Sequence, residues 1–530
     1  MQLRTGLAFL LVTMSFLPIT GVLAQQGYEP VRFTVSKFTI NGDNPIGDKA
    51  DKVLAPYIGE QSGLEGLSAA ADALEQAIIK AGFSFYRVSL QPQELTSGTV
   101  QFQIVKFAIG EIKVTGNEFF DQENIEHSLP LLEAGKTPNT KSLSRSLKQA
   151  NNHASKNILL KFKEGESGDT IDADITVKDQ NPQIFFVTLD NTGSEDTKEV
   201  RTTLGYQYGN LFNKDHSITA TLTVAPEDPD ATTQIGFNYH VPMYRHGANL
   251  DFLFSDSEIN SGTVGSGIAV NGKGQVLGFT YSRPLLTDTN FNHQWTAGFQ
   301  NKTFDNEITL GTTPIISNVV SSPLILGYSF NYTTQSGAFN GGITADANMG
   351  VGGDNTDEAY AAVRTGAEKS WSSVKYNLSY DHVFAKNWLF HGGFMGQSSS
   401  DNLISGEQFG VGGSASLRGF EERSVTGDLG NYLTLEVWTP TYFGARYLFF
   451  IDNASVETND TPGAADATSF DLSSYGIGAR WSWKQQLSVS LDVGVISKGL
   501  SPTEGANTGS TDPINLDDDT KAHFNLIYRF

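Results

Sequence analysis

The residues of this sequence best placed to do chemistry lie in one glycine-rich stretch. Phe409-Gly410-Val411-Gly412-Gly413-Ser414-Ala415-Ser416-Leu417-Arg418-Gly419-Phe420 sets a single arginine among small residues, and Gly427-Asp428-Leu429-Gly430 follows it. Glu436 and Asp452 are carboxylates further along, with Phe450 two residues before Asp452. A guanidinium offers a planar fork to paired carboxylate oxygens, which is the chemistry of an ion pair rather than of turnover. The signatures of turnover are missing. Zero Cys removes thiol nucleophiles, thiolate metal sites and disulfides together. There is no Gly-x-Ser-x-Gly elbow, no His-Glu-x-x-His and no lysine-bearing phosphate loop. The nine His are scattered, and His293 and His382 read as wall residues. Asp517-Asp518-Asp519, and Asp354 with Asp357 and Glu358, lack the spacing of a calcium loop and read as solvated acidic loops. The expectation is a protein that is not an enzyme and needs neither metal nor cofactor.

The elements that position this stretch follow from length and composition. At 530 residues the chain is too long for one ordinary domain. With 36 basic against 58 acidic residues the net charge is −22, which disfavours wrapping nucleic acid. Aromatic residues are 11% while charged ones are only 18%, a balance that suits a long β-protein. Arg4, the apolar run Leu7 to Leu17, Pro18 and Val22-Leu23-Ala24 have the layout of a secretory signal peptide over 1–24. Beyond it no run of about 18 apolar residues occurs, so helical membrane spans are not expected. An exported chain of this kind is periplasmic, released, or inserted in an outer membrane as a barrel.

From 25 to 180 the pattern is mixed. A strand over 31–40 and the turn Asn41-Gly42 lead to helices near 47–57 and 67–81. The second helix carries Leu67, Ala70, Leu74, Ile78 and Ala81 at helical spacing and stops at Gly82. Strands near 85–90 and 99–106 complete the unit. The same order repeats at once, with strand 109–115, helices near 121–129 and 141–152, and strands near 157–163 and 170–177. The expectation is two small α+β domains, 25–106 and 107–180, whose three-stranded sheets serve either as spacers or as adhesive edges that capture an extended peptide.

After Asn181-Pro182 the helical period vanishes and residues alternate, as in Ile218, Ala220, Leu222 and Val224 against Thr219, Thr221 and Thr223. Sixteen candidate strands can be counted over 181–530: 184–191, 199–208, 215–225, 231–241, 247–257, 274–283, 291–302, 323–333, 336–346, 371–382, 386–396, 431–438, 445–454, 474–483, 486–496 and 521–530. Tilted strands that cross a bilayer need about 9–11 residues. Connections after odd-numbered strands are mostly long and those after even-numbered strands mostly short, the organisation of a closed membrane barrel rather than of a sandwich. The last strand sets Phe524, Leu526, Tyr528 and Phe530 on one face, and the chain ends on an aromatic residue.

Here the sequence resembles a known family. The segment 397–430 with Arg418-Gly419-Phe420 at its centre resembles the sixth extracellular loop of the Omp85 superfamily, whose Arg-Gly-aromatic tip folds back into the barrel. Tyr447 to Ala454 resembles the partner strand of that family: Phe450 and Asp452 match, while Tyr447 stands for a Phe and Ala454 for a Gly. The resemblance implies that Arg418 pairs with Asp452 on the inner wall, that Gly419 permits a tight tip and Phe420 fills space beside it, and that Gly412, Gly413, Asp428 and Glu436 support the loop. Two preceding modules make the chain similar to the two-partner secretion transporters (TpsB, of haemolysin-secretion and filamentous-haemagglutinin type), in which such modules are POTRA domains. The segments Ala81-Gly82-Phe83 followed by Leu90-Gln91-Pro92-Gln93-Glu94-Leu95-Thr96-Ser97-Gly98-Thr99-Val100, and Asp190-Asn191-Thr192-Gly193-Ser194 with Arg201, resemble that family's first-POTRA ending and first barrel hairpin.

The fold class that follows is multidomain α+β plus membrane all-β: two POTRA domains (β-α-α-β-β) and a 16-stranded antiparallel transmembrane β-barrel with a long inward-folded loop over 397–430. The resemblance implies a Gram-negative outer membrane, POTRA domains in the periplasm, an unfolded secreted exoprotein as cargo, and outer-membrane lipid as surroundings. The C-terminal face from Phe524 to Phe530 is then the signal read by the barrel assembly machinery. A monomer is expected, without nucleic acid as a partner. Only about five residues separate Gln25 from the first strand, too few for the plug helix that many members carry. The rival reading is an Omp85-type assembly factor that inserts other barrels; a diffusion porin fits the N-terminal modules poorly.

Overall fold

The computed structural model describes residues 32–193, 198–229, 232–257, 263–264, 268–269, 274–286, 290–310, 313–461, 467–484, 486–501 and 515–530. The signal-peptide segment 1–24 and the short stretch expected in place of a plug lie outside the described residues. The chain divides into two compact units, Met1–Lys106 and Phe107–Phe530.

In the first unit the helix Glu65–Lys80 turns Leu67, Ala70, Leu74 and Ile78 onto a three-stranded sheet that offers Phe38, Val100, Phe102 and Ile104. The sheet runs Lys37–Asn41, Thr99–Lys106, Tyr86–Leu90, with the first pair parallel and the second antiparallel. The continuous strand expected over 31–40 is broken at Ser36. The Ser36 amide and hydroxyl both donate to the Gly98 carbonyl, at 2.7 and 3.0 Å. That kink frees Arg32–Val35 to pair with Gly59–Ser62, a short strand that lacks the apolar alternation by which it could have been read.

The second unit opens with the same order. Strand Ala108–Thr115, helices Gln122–Ser128 and Thr140–Ala150, and strands Lys156–Glu164 and Thr170–Asp179 bury Ile109, Ile125, Leu143, Ile158 and Ile175. Each helix begins on a side-chain cap: Asp121 accepts from the Asn124 amide and Asn139 from the Ser142 amide.

Sixteen antiparallel strands then close into a barrel. They are Gln183–Asp190, Arg201–Leu211, His216–Val224, Thr233–Met243, Ala248–Ser257, Gly274–Leu286, Phe291–Leu310, Pro323–Thr333, Gly337–Asn348, Ser372–Phe384, Trp388–Ser398, Leu429–Trp438, Ala445–Glu457, Ser469–Trp483, Leu487–Lys498 and Thr520–Arg529. The period of two is visible in the thirteenth: Leu448, Phe450, Asp452, Ala454 and Val456 are buried inside, while Tyr447, Phe449 and Ile451 are more than 40% exposed outside. An outward row that apolar suits lipid, not water.

Two long connections hold more structure than a loop. Over 303–322, the seventh strand runs on to Leu310 and Thr313–Ser321 pairs back along it beyond the rim of the cylinder. Over 347–370 lies the helix Asp357–Val363, capped by Thr356. Tyr360, Trp371, Leu403, Ile404, Phe304 and Val319 pack into a separate apolar core at the long-loop rim. These residues are brought together across loops, so no local periodicity announces them.

The short-turn rim is fastened to the second α+β domain. Lys156 Nζ lies 2.5 Å from Asp215 Oδ2 in the first short turn, and both side chains are wholly buried. Lys156 also donates to Asn124 Oδ1 and Ser128 Oγ, both at 2.7 Å, and Asp215 accepts from Asn124, Ser128 and the Tyr244 hydroxyl. Every donor and acceptor of the pair is thereby used, the condition under which a buried ion pair is tolerated. Burial pushes the Asp215 carboxyl up, but the adjoining ammonium and hydroxyl donors outweigh it and hold it below the usual range. Because its folded value is depressed, its stabilising contribution is present at neutral pH and is lost as pH falls through that folded value. Lys156→Ala, which strands Asp215, is expected to cost about 3–5 kcal/mol, whereas Lys156→Met with Asp215→Leu costs much less. Urea unfolding of the α+β domain on the intact chain, followed by limited proteolysis, measures both.

Candidate functional site

The segment from Ser399 to Asp428 leaves the rim, descends inside the barrel and returns. Its tip carries Arg418, only 4% exposed although the residue lies in a connection. The guanidinium meets Asp452 as a fork, Nε to Oδ2 and Nη2 to Oδ1, both at 2.8 Å. The Arg418 amide donates to Asp452 Oδ2 at 3.2 Å, so backbone and side chain grip the same carboxylate. Nη1 lies 2.7 Å from Glu436 Oε1, and Nη2 donates to Thr434 Oγ1 at 3.0 Å. The Phe450 ring lies beneath the charge, 3.6 Å from Cζ to its centroid, in cation–π contact. The Tyr432 hydroxyl donates to Asp452 Oδ1 at 3.1 Å.

Strand pleating explains the convergence. Tyr432, Thr434 and Glu436 alternate inward on the twelfth strand, and Phe450 and Asp452 on the thirteenth. Register pairs Thr434 with Asp452 and Glu436 with Phe450. Two carboxylates and a hydroxyl therefore stand on one patch of wall. Against two carboxylates the single guanidinium leaves the patch near −1, and the aromatic face and hydroxyls take up the remaining directions.

Gly419 sits at φ +96°, and a Cβ there would lie 3.1 Å from the Gly494 backbone carbon. The tip thus rests backbone on backbone against the fifteenth strand. Its amide donates to His523 Nε2 at 3.1 Å on the last strand. Phe420 is fully buried among Val456, Leu472, Ile496 and Leu500. Gly412 and Gly413 both have positive φ, at the reversal where the segment turns toward its tip. Asp428 stands at the far end: its carboxylate accepts from the Leu403 and Asn459 amides, both at 2.8 Å, and pairs with Arg364, drawing three long connections together. Ala454 is buried beside its register partner Tyr432, in the apolar cluster around Phe420.

The structure brings together Arg418, Asp452, Phe450 and Glu436, with Gly419 and Phe420 beside them. It sets Asp428 apart as a clasp at the rim, and Glu436 meets Arg418 directly on the wall. Thr434, Tyr432, Gly494, His523 and Arg364 were not singled out in the sequence. Thr434 and Tyr432 share the inward parity of Glu436, a signal that could have found them. The other three are set by tertiary contact alone. The aromatic residues of the last strand face outward; Phe530 stacks on Phe185 at 5.9 Å and exchanges both backbone hydrogen bonds with it, at 2.9 and 3.0 Å. Among the described residues no cluster has the makings of a metal site.

A closed sixteen-stranded barrel with a tethered loop in its bore, preceded in sequence by small α+β modules, defines the class of outer-membrane β-barrel transporters. The family model for haemolysin secretion/activation protein ShlB/FhaC/HecB matches residues 169–481, and that for the ShlB-type POTRA domain matches residues 33–106. The chain belongs to the haemolysin secretion/activation family ShlB/FhaC/HecB. The outer membrane transporter CdiB of Escherichia coli O6:K15:H31 is 23% identical over 437 residues, covering 78% of this chain and 70% of its own. The heme/hemopexin transporter protein HuxB of Haemophilus influenzae 86-028NP is 20% identical over 404 residues, covering 75% and 70%. Among solved structures, CdiB from Escherichia coli superposes with a TM-score of 0.70 at 16% identity, over 97% of this chain and 93% of that one. BamA from Haemophilus ducreyi lacking POTRA domains 1–3 gives 0.52 at 15% identity, over 94% and 100%. The protein is a two-partner secretion transporter of the outer membrane, with its POTRA domains in the periplasm.

If Asp452 holds the tip, Asp452→Asn breaks the charged fork and leaves only Glu436 opposite Arg418, which weakens the anchorage by about 1.5–3 kcal/mol. The expected result is faster tryptic cleavage after Arg418 and Arg423 in the folded barrel. Asn453→Asp, one residue along and on the opposite face, leaves the rate unchanged.

Proposed function

We propose that this transporter takes an unfolded secreted exoprotein from the periplasm, receives it through its POTRA domains and passes it along the barrel lumen to the cell surface. The observation that carries this reading is the buried fork of Arg418 on Asp452, which holds a long loop inside the bore. A loop anchored there by charge is an internal part of a conduit, not an exposed loop.

Cargo docks by strand addition. Each POTRA sheet has outer strands, Lys37–Asn41 and Tyr86–Leu90 in the first and Ala108–Thr115 and Lys156–Glu164 in the second, and an edge strand supplies backbone donors and acceptors without demanding a particular sequence. The protein acts without catalysis, and cargo folding outside supplies the drive. It works as a monomer surrounded by outer-membrane lipid. The barrel assembly machinery inserts it by reading the face of Phe524, Leu526, Tyr528 and Phe530. In the loop, Arg418 with Gly419 and Phe420 forms the tip, Asp452 and Phe450 are its seat, and Gly412, Gly413, Asp428 and Glu436 maintain its course. The assembly-factor reading has weaker support, because the family model that covers most of the barrel, over residues 169–481, is one for secretion and activation.

Co-expression with a candidate cargo tests the proposal. With Arg418→Ala, surface appearance of the cargo is expected to be lost while heat-modifiable migration shows the barrel still inserted. Undiminished secretion by that variant would overturn the role given to the loop.

A further inference from the structure

The barrel closes where its last strand meets its first, and this seam is short. Thr520–Arg529 pairs with the fifteenth strand over nine residues, from Tyr528 opposite Leu487 to Thr520 opposite Val495. On its other side it pairs with Gln183–Asp190 over only five, from Arg529 opposite Phe186 to Asn525 opposite Asp190, with Phe530 and Phe185 bonded just beyond. The first strand ends at Asp190, so among the described residues no strand lies beside 520–524 on the seam side. A backbone edge facing lipid without partners is costly, several kcal/mol for each group.

One side chain stands where the missing rung would be. Asn191 Nδ2 donates to the Ala522 carbonyl at 2.8 Å, and Asn191 Oδ1 accepts from the Phe524 amide at 2.8 Å. A carboxamide has the donor and acceptor of a peptide group, and here it uses both on one strand edge, answering the Ala522 carbonyl and the Phe524 amide that a neighbouring strand would otherwise answer. The hairpin around it is built to aim it. Asp190 Oδ1 accepts from the Thr192 amide at 3.1 Å and from its hydroxyl at 2.6 Å, folding the chain back at once. The Gly193 amide donates to the Glu199 carbonyl at 2.9 Å, and a Cβ on Gly193 would collide with the Lys198 carbonyl. The segment Asp190-Asn191-Thr192-Gly193, prominent in the sequence and unused by the loop anchorage, thus acquires a purpose.

We propose that Asn191 is a side-chain rung that closes the long-loop half of the barrel seam where the first strand has run out. The absence of native cysteine makes the test direct. Two readouts are taken on the full chain in detergent micelles: hydrogen exchange of the Phe524 amide, and the temperature at which the folded, fast-migrating band is lost. Asn191→Ala is expected to speed Phe524 exchange at least tenfold, leave Leu526 unchanged, and lower the transition temperature. A disulfide between cysteines at the register partners Leu189 and Leu526 restores the lost temperature. Asn191→Asp keeps the acceptor and loses the donor, so Phe524 stays protected while the transition still falls. As a control, Asn340→Ala removes an amide bonded to Asn331 far from the seam; any loss it causes is not recovered by the same disulfide. Unchanged Phe524 exchange in Asn191→Ala, or a fall in transition temperature that the seam disulfide fails to recover, would overturn the assignment.

Discussion

A guanidinium taken out of water is costly by several kcal/mol unless its hydrogen bonds and its charge are answered in place. That constraint organises the functional half of this protein. Arg418 is answered by Asp452 in fork geometry, by Glu436, by Thr434 and by the face of Phe450, so the loop is held at one depth. The barrel supplies those partners because register sets inward residues of two neighbouring strands side by side. A shift of one residue would turn Asp452 toward lipid and leave the arginine without a counter-charge.

Around that anchor the remaining contacts are of three kinds. Apolar packing of Phe420 with Val456, Leu472, Ile496 and Leu500 removes surface from water. Backbone approach at Gly419 and Gly494 allows the tip to lie flat. Asp428 and Arg364 tie the outer limb to its neighbouring loops. The lower rim uses the same principle as the bore: Lys156 and Asp215 are buried as a charged pair only because Asn124, Ser128 and Tyr244 complete their hydrogen bonds.

Much of this was legible in the sequence, and the reasons are physical. The sixteen strands could be read because lipid on one side and a polar bore on the other enforce a period of two over about ten residues. The thirteenth strand shows the rule residue by residue, from Tyr447 to Val456. The helix carrying Leu67, Leu74 and Ile78 could be read from its period of 3.6. What escaped depends on contacts remote in sequence. The break at Ser36 arises from a carbonyl 62 residues away, and Gly59–Ser62 carries no pattern of its own. Thr313–Ser321 and Asp357–Val363 are stabilised by a loop core that exists only once the rim is assembled. At the candidate site, the charged and glycine residues stood out by type, whereas His523 and Gly494 are ordinary in sequence and matter only for what they touch.

The anchorage also makes the bore lopsided. The loop is held against the twelfth to sixteenth strands through Thr434, Asp452, Leu472, Gly494 and His523. The opposite arc presents carboxamides inward, among them Gln294, Asn340 with Asn331, and Asn377, beside paired charges such as Lys375 with Asp346. A threading polypeptide would therefore run off-axis, with the crowded bank that carries the loop on one side and a bank of carboxamides and paired charges on the other. Carboxamides exchange hydrogen bonds with any peptide group and hold none for long, so the geometry that fixes the loop also leaves a low-friction track beside it.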